Sequence, residues 1–148
     1  MIVLAVDPGP VQSGIAKFDG TRFLFADVLP NMDVLKIIAD DNSDALAIEL
    51  FVATGQPLAD ESLYTIRWEE RFRLASGEPD QVLMIPRRQV KKALGVDHRA
   101  DDAKVNAAIQ QIVGPKGTKS DPGPCYGMKT HAWAAGGVAY AAIKQLGG

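Results

Sequence analysis

The sequence predicts one α/β domain spanning residues 1–148, with strands of mixed direction and helices on the faces of the sheet. Three observations carry that expectation. An almost unbroken apolar run opens the chain and is cut off by Asp7-Pro8-Gly9-Pro10. Two further apolar segments are joined by Asp19-Gly20, a hairpin signal, and the remainder alternates between helical and strand patterning. A length of 148 residues suits a single domain, and 47% hydrophobic with 23% charged residues is ordinary for a packed core.

Residues 1–6 read as a strand buried on both faces, and 13–18 and 21–29 as a hairpin beside it. A short helix is expected over 31–40, with Asn31 as its cap. Residues 45–51 are again strand-like, interrupted by one charge, Glu49. Residues 56–76 carry Leu63, Ile66 and Phe72 at helical spacing and stop at Gly77. A short strand at 82–85 precedes helices over 87–94 and 101–113, the latter with Val105, Ala108, Ile109 and Ile112 as one apolar stripe. Residues 114–127 are rich in Gly, Pro, Lys and Asp and read as a long exposed loop before an alanine-rich final helix over 129–146.

No apolar run reaches the roughly 18 residues of a membrane span. The first residues lack the basic start and small-residue cleavage site of a secretion signal. Cys125 is the one cysteine, so no internal disulfide can form, and a reducing, cytoplasmic setting is expected. The net charge of −2 conceals an asymmetry. Residues 1–80 hold 6 basic and 14 acidic side chains, residues 81–148 hold 10 basic and 4 acidic. Such a distribution can present a basic face to nucleic acid, or simply fold into mixed solvated surfaces.

Asp7 stands at a strand end, where α/β folds place their sites, although a turn aspartate bonded to nearby backbone reads the same way. Glu49 lies within an apolar strand, where a carboxylate is costly unless paired or bound to metal. His131 is set among small residues near the start of the final helix, as a metal ligand or as a satisfied capping histidine. Should the three converge, they form a cluster suited to Mg²⁺ or Mn²⁺, two ions per site, and to phosphodiester hydrolysis. Candidate phosphate contacts are Arg67 and Arg71 on the middle helix, Arg87, Arg88, Lys91 and Lys92 on the next, and Lys116, Lys119 and Lys129 around the long loop. Trp68 and Phe72, interleaved with the arginines, read as core rather than as stacking platforms, and Cys125 reads as structural.

Several segments together resemble the RuvC-type Holliday-junction resolvases. Val6-Asp7-Pro8-Gly9-Pro10-Val11-Gln12-Ser13-Gly14 is similar to that family's D-x-G-x-x-x-x-G opening, and Ala47-Ile48-Glu49-Leu50-Phe51 to the strand with its catalytic glutamate. Arg88-Gln89-Val90-Lys91 resembles its R-Q-V-K segment, and His131-Ala132-Trp133-Ala134-Ala135 its final helix. The resemblance implies a ribonuclease H-like fold with a five-stranded mixed sheet. It also implies a homodimer nicking opposed strands of branched DNA, metal held by Asp7, Glu49 and His131, and Lys91 near the scissile phosphate. The compact chain is similar to phage-encoded members.

Departures from the pattern matter. The final helix of the family normally brings two acids, or a histidine followed by an aspartate. Here His131 aligns with the last acid and Met128 three residues before it, so Asp121 in the loop is a possible replacement carboxylate. The family's second lysine falls near Asp102, with Lys104 as a shifted substitute. Two other readings stay open: a non-catalytic module that binds branched nucleic acid, and a nuclease of the YqgF-type branch associated with ribosomal RNA processing.

Overall fold

The computed structural model describes residues 1–147, so the last residue of the expected 1–148 domain lies outside the described residues. The strands are β1 (Val3–Asp7), β2 (Gln12–Phe18), β3 (Phe23–Pro30), β4 (Ala45–Leu50) and β5 (Leu83–Pro86). The helices are α1 (Asn31–Asp40), α2 (Asp60–Ala75), α3 (Arg87–Leu94), α4 (Asp102–Val113) and α5 (Thr130–Gln145). They form one five-stranded sheet in the order β3-β2-β1-β4-β5, with helices on both faces. β1 runs antiparallel to β2 and parallel to β4, so the sheet is mixed, as expected. Its position between two partners explains why its residues are apolar on both faces.

Side chains of a strand alternate between faces, and the two cores follow that alternation. Val3 and Ala5 of β1 and Ala47 of β4 enter the larger core under α3, α4 and α5. Leu4, Val6 and Ile48 enter the smaller core with Val34 and Ile38 of α1 and Phe72 of α2. Trp68 packs against that second core, which makes it a core residue as expected. The next residues in the alternation, Asp7 and Glu49, therefore emerge on the α5 side of adjacent strand ends.

Alpha5 lies close on the sheet because its inner face is built of Ala135, Gly136, Ala139 and Ala142, all buried. Its first turn crosses Gly14, which pairs with Asp7 across the β1–β2 ladder. A Cβ at Gly14 would drive into the His131 carbonyl oxygen and the Ala132 nitrogen, so only glycine lets the helix start here.

Three local expectations are revised. Asn31 is the first residue of α1, and Pro30 takes the cap position with no side-chain bond. Asn31 instead turns its amide inward, for a reason that belongs to the site. The helix expected from residue 56 begins at Asp60. The segment 114–127 is an ordered hairpin rather than an open loop: Gly117 bridges Pro122, and Thr118 and Asp121 exchange backbone hydrogen bonds of 3.0 and 3.2 Å. Its close backbone approach and its bond from Phe23 N to Pro124 O, 2.8 Å, fasten it to the start of β3.

Gly14→Ala should destabilise the fold by about 1–3 kcal/mol, the usual cost of forcing an atom into a filled contact. Urea unfolding checks this, and an unchanged midpoint would show that α5 can lift off Gly14 freely.

Candidate active site

The ends of β1 and β4 open into a cleft of about 610 Å³, walled by residues 7–12 and by Glu49, Thr65, Arg87, Asp102, His131 and Ala134. Asp7 and Glu49 are the buried part of it, their side chains 12% and 20% exposed. Adjacent parallel strands put the two carboxyls side by side, since Val6 and Ile48 are register partners. His131 comes from α5, its Nδ1 3.4 Å from Asp7 Oδ2, and its side chain is 70% exposed.

Burial pushes both acids above the ordinary carboxyl range. Glu49 is pushed up to about 8 by desolvation first, then by the neighbouring Asp7 charge and the hydrogen bond between the two, and is partly relieved by Arg87. In Asp7 the hydrogen bond with Glu49 and the Arg87 charge oppose the desolvation, which remains the largest influence and keeps its carboxyl above the ordinary range. Glu49 Oε1 is nonetheless buried without a hydrogen-bond partner. The Arg87 Nη1 atom is 3.6 Å from it, close enough for attraction but long for a hydrogen bond.

The cleft wall is held from behind by a buried polar triad. Gly9 N donates to Ser13 Oγ at 3.1 Å, Ser13 Oγ donates to Asn31 Oδ1 at 2.6 Å, and Asn31 Nδ2 donates to the Gly9 carbonyl at 3.0 Å. Ser13 and Asn31 are 1% and 2% exposed, so these bonds are made without competing water. They fix the turn that follows Asp7. On the other wall Thr130 has φ +38°, a left-handed conformation that a β-branched residue rarely adopts. It sits immediately before His131, where the chain must turn sharply out of the 114–127 segment into α5.

Of the residues singled out in the sequence, Asp7, Glu49, His131 and Arg87 meet in the cleft. Lys91 does not: its Nζ donates to the His98 carbonyl at 3.0 Å, one turn along α3. Arg88 and Lys92 are exposed on that helix, and Arg67 is exposed on α2. Arg71 lies over the Trp68 ring at 4.2 Å, and Lys129 pairs with Asp27 at 3.0 Å. Lys116 and Lys119 belong to the hairpin fastened at Phe23, whose register partner Phe18 pairs with Val3, the end of β1 away from Asp7. Asp121 sits in the same hairpin, so it does not supply the cleft with a carboxylate. Lys104 is exposed beside Asp97 and Arg99, outside the cleft.

Met128 is fully buried and precedes α5, so it is core and not an alternative ligand. The turn of α5 that faces the cleft is His131–Ala134, and it offers a methyl group where a second acid would be useful. Cys125 is buried and its thiol is pushed up to about 11, which fits a structural role.

Sequence reasoning missed Asp102 as a cleft residue, and missed the Ser13–Asn31 support. Asp101 and Asp102 stand together at a helix start. The structure divides them: Asp101 caps α4 by accepting from Lys104 N at 3.0 Å, while Asp102 is left to bond Arg87. Reading Asp101 as the N-cap of the helix that follows could have suggested that division.

Among the described residues, no group of three or more His, Cys, Asp and Glu side chains is arranged as a metal cage. The two contacting carboxyls do fit a divalent cation. They are hard oxygen donors, and a buried oxygen without a partner is the kind of group a cation satisfies.

No family model and no curated protein matches the sequence. Solved structures do match the fold. Thermus thermophilus RuvC superposes with a TM-score of 0.71 at 20% identity, covering 99% of this chain and 97% of that one. Thermus thermophilus RuvC in complex with a Holliday junction substrate superposes with a TM-score of 0.69 at 21% identity, covering 95% of this chain and 92% of that one. The chain has the ribonuclease H-like fold of RuvC across nearly its whole length.

The Glu49 shift makes a stability prediction. Glu49 ionises near 4.5 when unfolded and near 8 when folded, so its favourable share is complete below the lower value and is lost as pH rises through the upper one. Glu49→Gln cannot ionise and still donates to Asp7. Without metal it should be more stable than wild type above that upper value by about 1–3 kcal/mol. Thermal melts against pH in a chelator check this, and parallel wild-type and variant curves would contradict it.

Proposed function

We propose that this protein is a structure-selective DNA endonuclease that resolves four-way junctions or other branched DNA. It works by phosphodiester hydrolysis with Mg²⁺ or Mn²⁺, as a homodimer nicking opposed strands. The observation that carries the reading is the pair of strand-end carboxyls in contact, with Glu49 Oε1 unsatisfied, at the floor of an open cleft on RuvC's fold. One of the RuvC structures that matches is a complex with a Holliday junction substrate, which favours branched DNA as the ligand class.

Asp7 and Glu49 would hold the cation, with His131 beside Asp7 as a third donor. A bound divalent ion supplies charge stabilisation at a phosphorus centre and a water of lowered pKa. The chain's own residues do the rest. Burial keeps both carboxyls close and water-poor, so a cation gains more there than at an exposed pair. The Ser13–Asn31 triad holds the turn that carries Asp7 in one geometry. Arg87 offers a guanidinium fork inside the cleft, suited to a phosphate oxygen pair. Arg88, Lys91 and Lys92 on α3, with Arg67, Arg71 and Lys129 farther out, would extend the phosphate track. Lys116 and Lys119 would meet DNA only where it runs past the far end of the sheet. The unpaired Cys125 accords with work in the cytoplasm of a bacterium or of a phage-infected cell.

A non-catalytic junction-binding module is the second reading. What favours it is the short ligand set: two carboxyls in contact, an exposed histidine, and Ala134 in place of a further acid.

Cleavage of a labelled four-way junction in Mg²⁺, Mn²⁺ and chelator, with linear duplex and structured RNA alongside, tests both. The expected result is paired symmetric nicks in the junction, absent in chelator, and slowed at least about 100-fold by Asp7→Asn, the loss of a few kcal/mol of transition-state stabilisation. His131→Ala should slow cleavage with the fold intact. Tight binding with no nick in either metal selects the module, and cutting of the RNA alone selects the RNA-processing branch.

A further inference from the structure

Arg87, the first residue of α3, stands between two carboxyl groups that differ in surroundings. Its Nη1 is 3.6 Å from Glu49 Oε1, and its Nη2 is bonded to Asp102 Oδ1. Glu49 is mostly buried, whereas the Asp102 side chain is 86% exposed at the start of α4. The guanidinium therefore has a hydrogen-bonded partner on the outside and a longer contact, without a hydrogen bond, on the inside. The inner seat faces the buried oxygen that lacks a hydrogen-bond partner, and that oxygen is one a divalent cation would take. Two positive charges cannot share that seat without strong repulsion. The outer seat remains available, because Asp102 belongs to α4, a separate element from the strand of Glu49, with its start capped by Asp101 accepting from Lys104 N.

We propose that Arg87 is a resident counter-cation that a divalent ion must displace from Glu49, and that Asp102 is the anchor that receives the displaced guanidinium. The proposal rests on the metal-binding reading above and adds two positioning residues to it. In the metal-free protein Arg87 offsets the acid pair and keeps Asp102 apart from it. With metal bound, Asp102 holds the guanidinium at the cleft, still facing the region a phosphate would enter. Asp102 thus acts through Arg87 and not as a ligand.

Calorimetric titration of the full chain with Mn²⁺, without DNA, tests this in a double-substitution cycle of Arg87→Gln and Asp102→Asn. Arg87→Gln should tighten Mn²⁺ binding at least about fivefold, within the range of couplings between contacting charges. Asp102→Asn should weaken binding at least about fivefold while Arg87 is present and have no effect once Arg87 is Gln, which is the non-additivity an anchor produces. Arg87→Met serves as a second neutral variant, and thermal melts confirm that each variant is folded. Unaltered affinity in both neutral Arg87 variants overturns the proposal and leaves the metal site standing. An equal loss from Asp102→Asn in both backgrounds also overturns it, since that is the mark of a ligand or of a simple field effect. Absence of Mn²⁺ binding in every variant overturns the metal-binding reading together with this one.

Discussion

Two carboxyl groups buried side by side at the ends of adjacent strands are a costly arrangement on which the rest of the site depends. A single buried carboxylate already favours its neutral form, and a second one beside it makes double ionisation harder still. Here burial and mutual repulsion push both acids toward their neutral forms, the nearby Arg87 charge offsets part of that, and Glu49 Oε1 is still left without a hydrogen-bond partner. A protein selected only for stability would place apolar residues at the ends of β1 and β4, as it does along the rest of both strands. Much of the surrounding structure serves to keep this arrangement in place. The Ser13–Asn31 triad fixes the turn after Asp7, and Gly14 admits α5 so that His131 reaches Asp7.

The acids themselves were legible in the sequence for the same reason that they are costly. A charge inside an apolar strand and a charge where such a strand stops are conspicuous against the period-2 pattern. Alternation also assigns them a common face, because Ala5 precedes Asp7 by two residues as Ala47 precedes Glu49, and both alanines enter the α5 core. The strands and their mixed directions were legible from apolar runs and turn signals, and the five-stranded sheet from the family resemblance. Residues whose role depends on contacts between distant segments were not. Asn31 carries the signature of a helix cap, yet its partners Gly9 and Ser13 lie on another turn of chain. Lys91 matches a motif, but the side chain that enters the cleft belongs to Arg87, four residues earlier and so one helical turn nearer the strand ends. The 114–127 hairpin is ordered by backbone bonds that its Gly- and Pro-rich composition does not advertise.

The charge asymmetry between the two parts of the chain is only partly translated into a surface beside the cleft. Alpha3 concentrates Arg87, Arg88, Lys91 and Lys92 near the strand ends, whereas Lys116 and Lys119 are carried to the opposite end of the sheet. On the proposed function, basic residues near the cleft would bind phosphates without reading bases, and selectivity for branched DNA would have to come from shape. The cleft combines an acid pair able to take a cation with a guanidinium able to take a phosphate, a combination that suits the hydrolysis proposed for it.

The most direct measurement is a crystal structure of the protein grown or soaked with Mn²⁺, read by anomalous scattering. The account predicts an anomalous peak in the cleft at the Asp7 and Glu49 carboxyls. No anomalous peak in the cleft at saturating Mn²⁺ would contradict it.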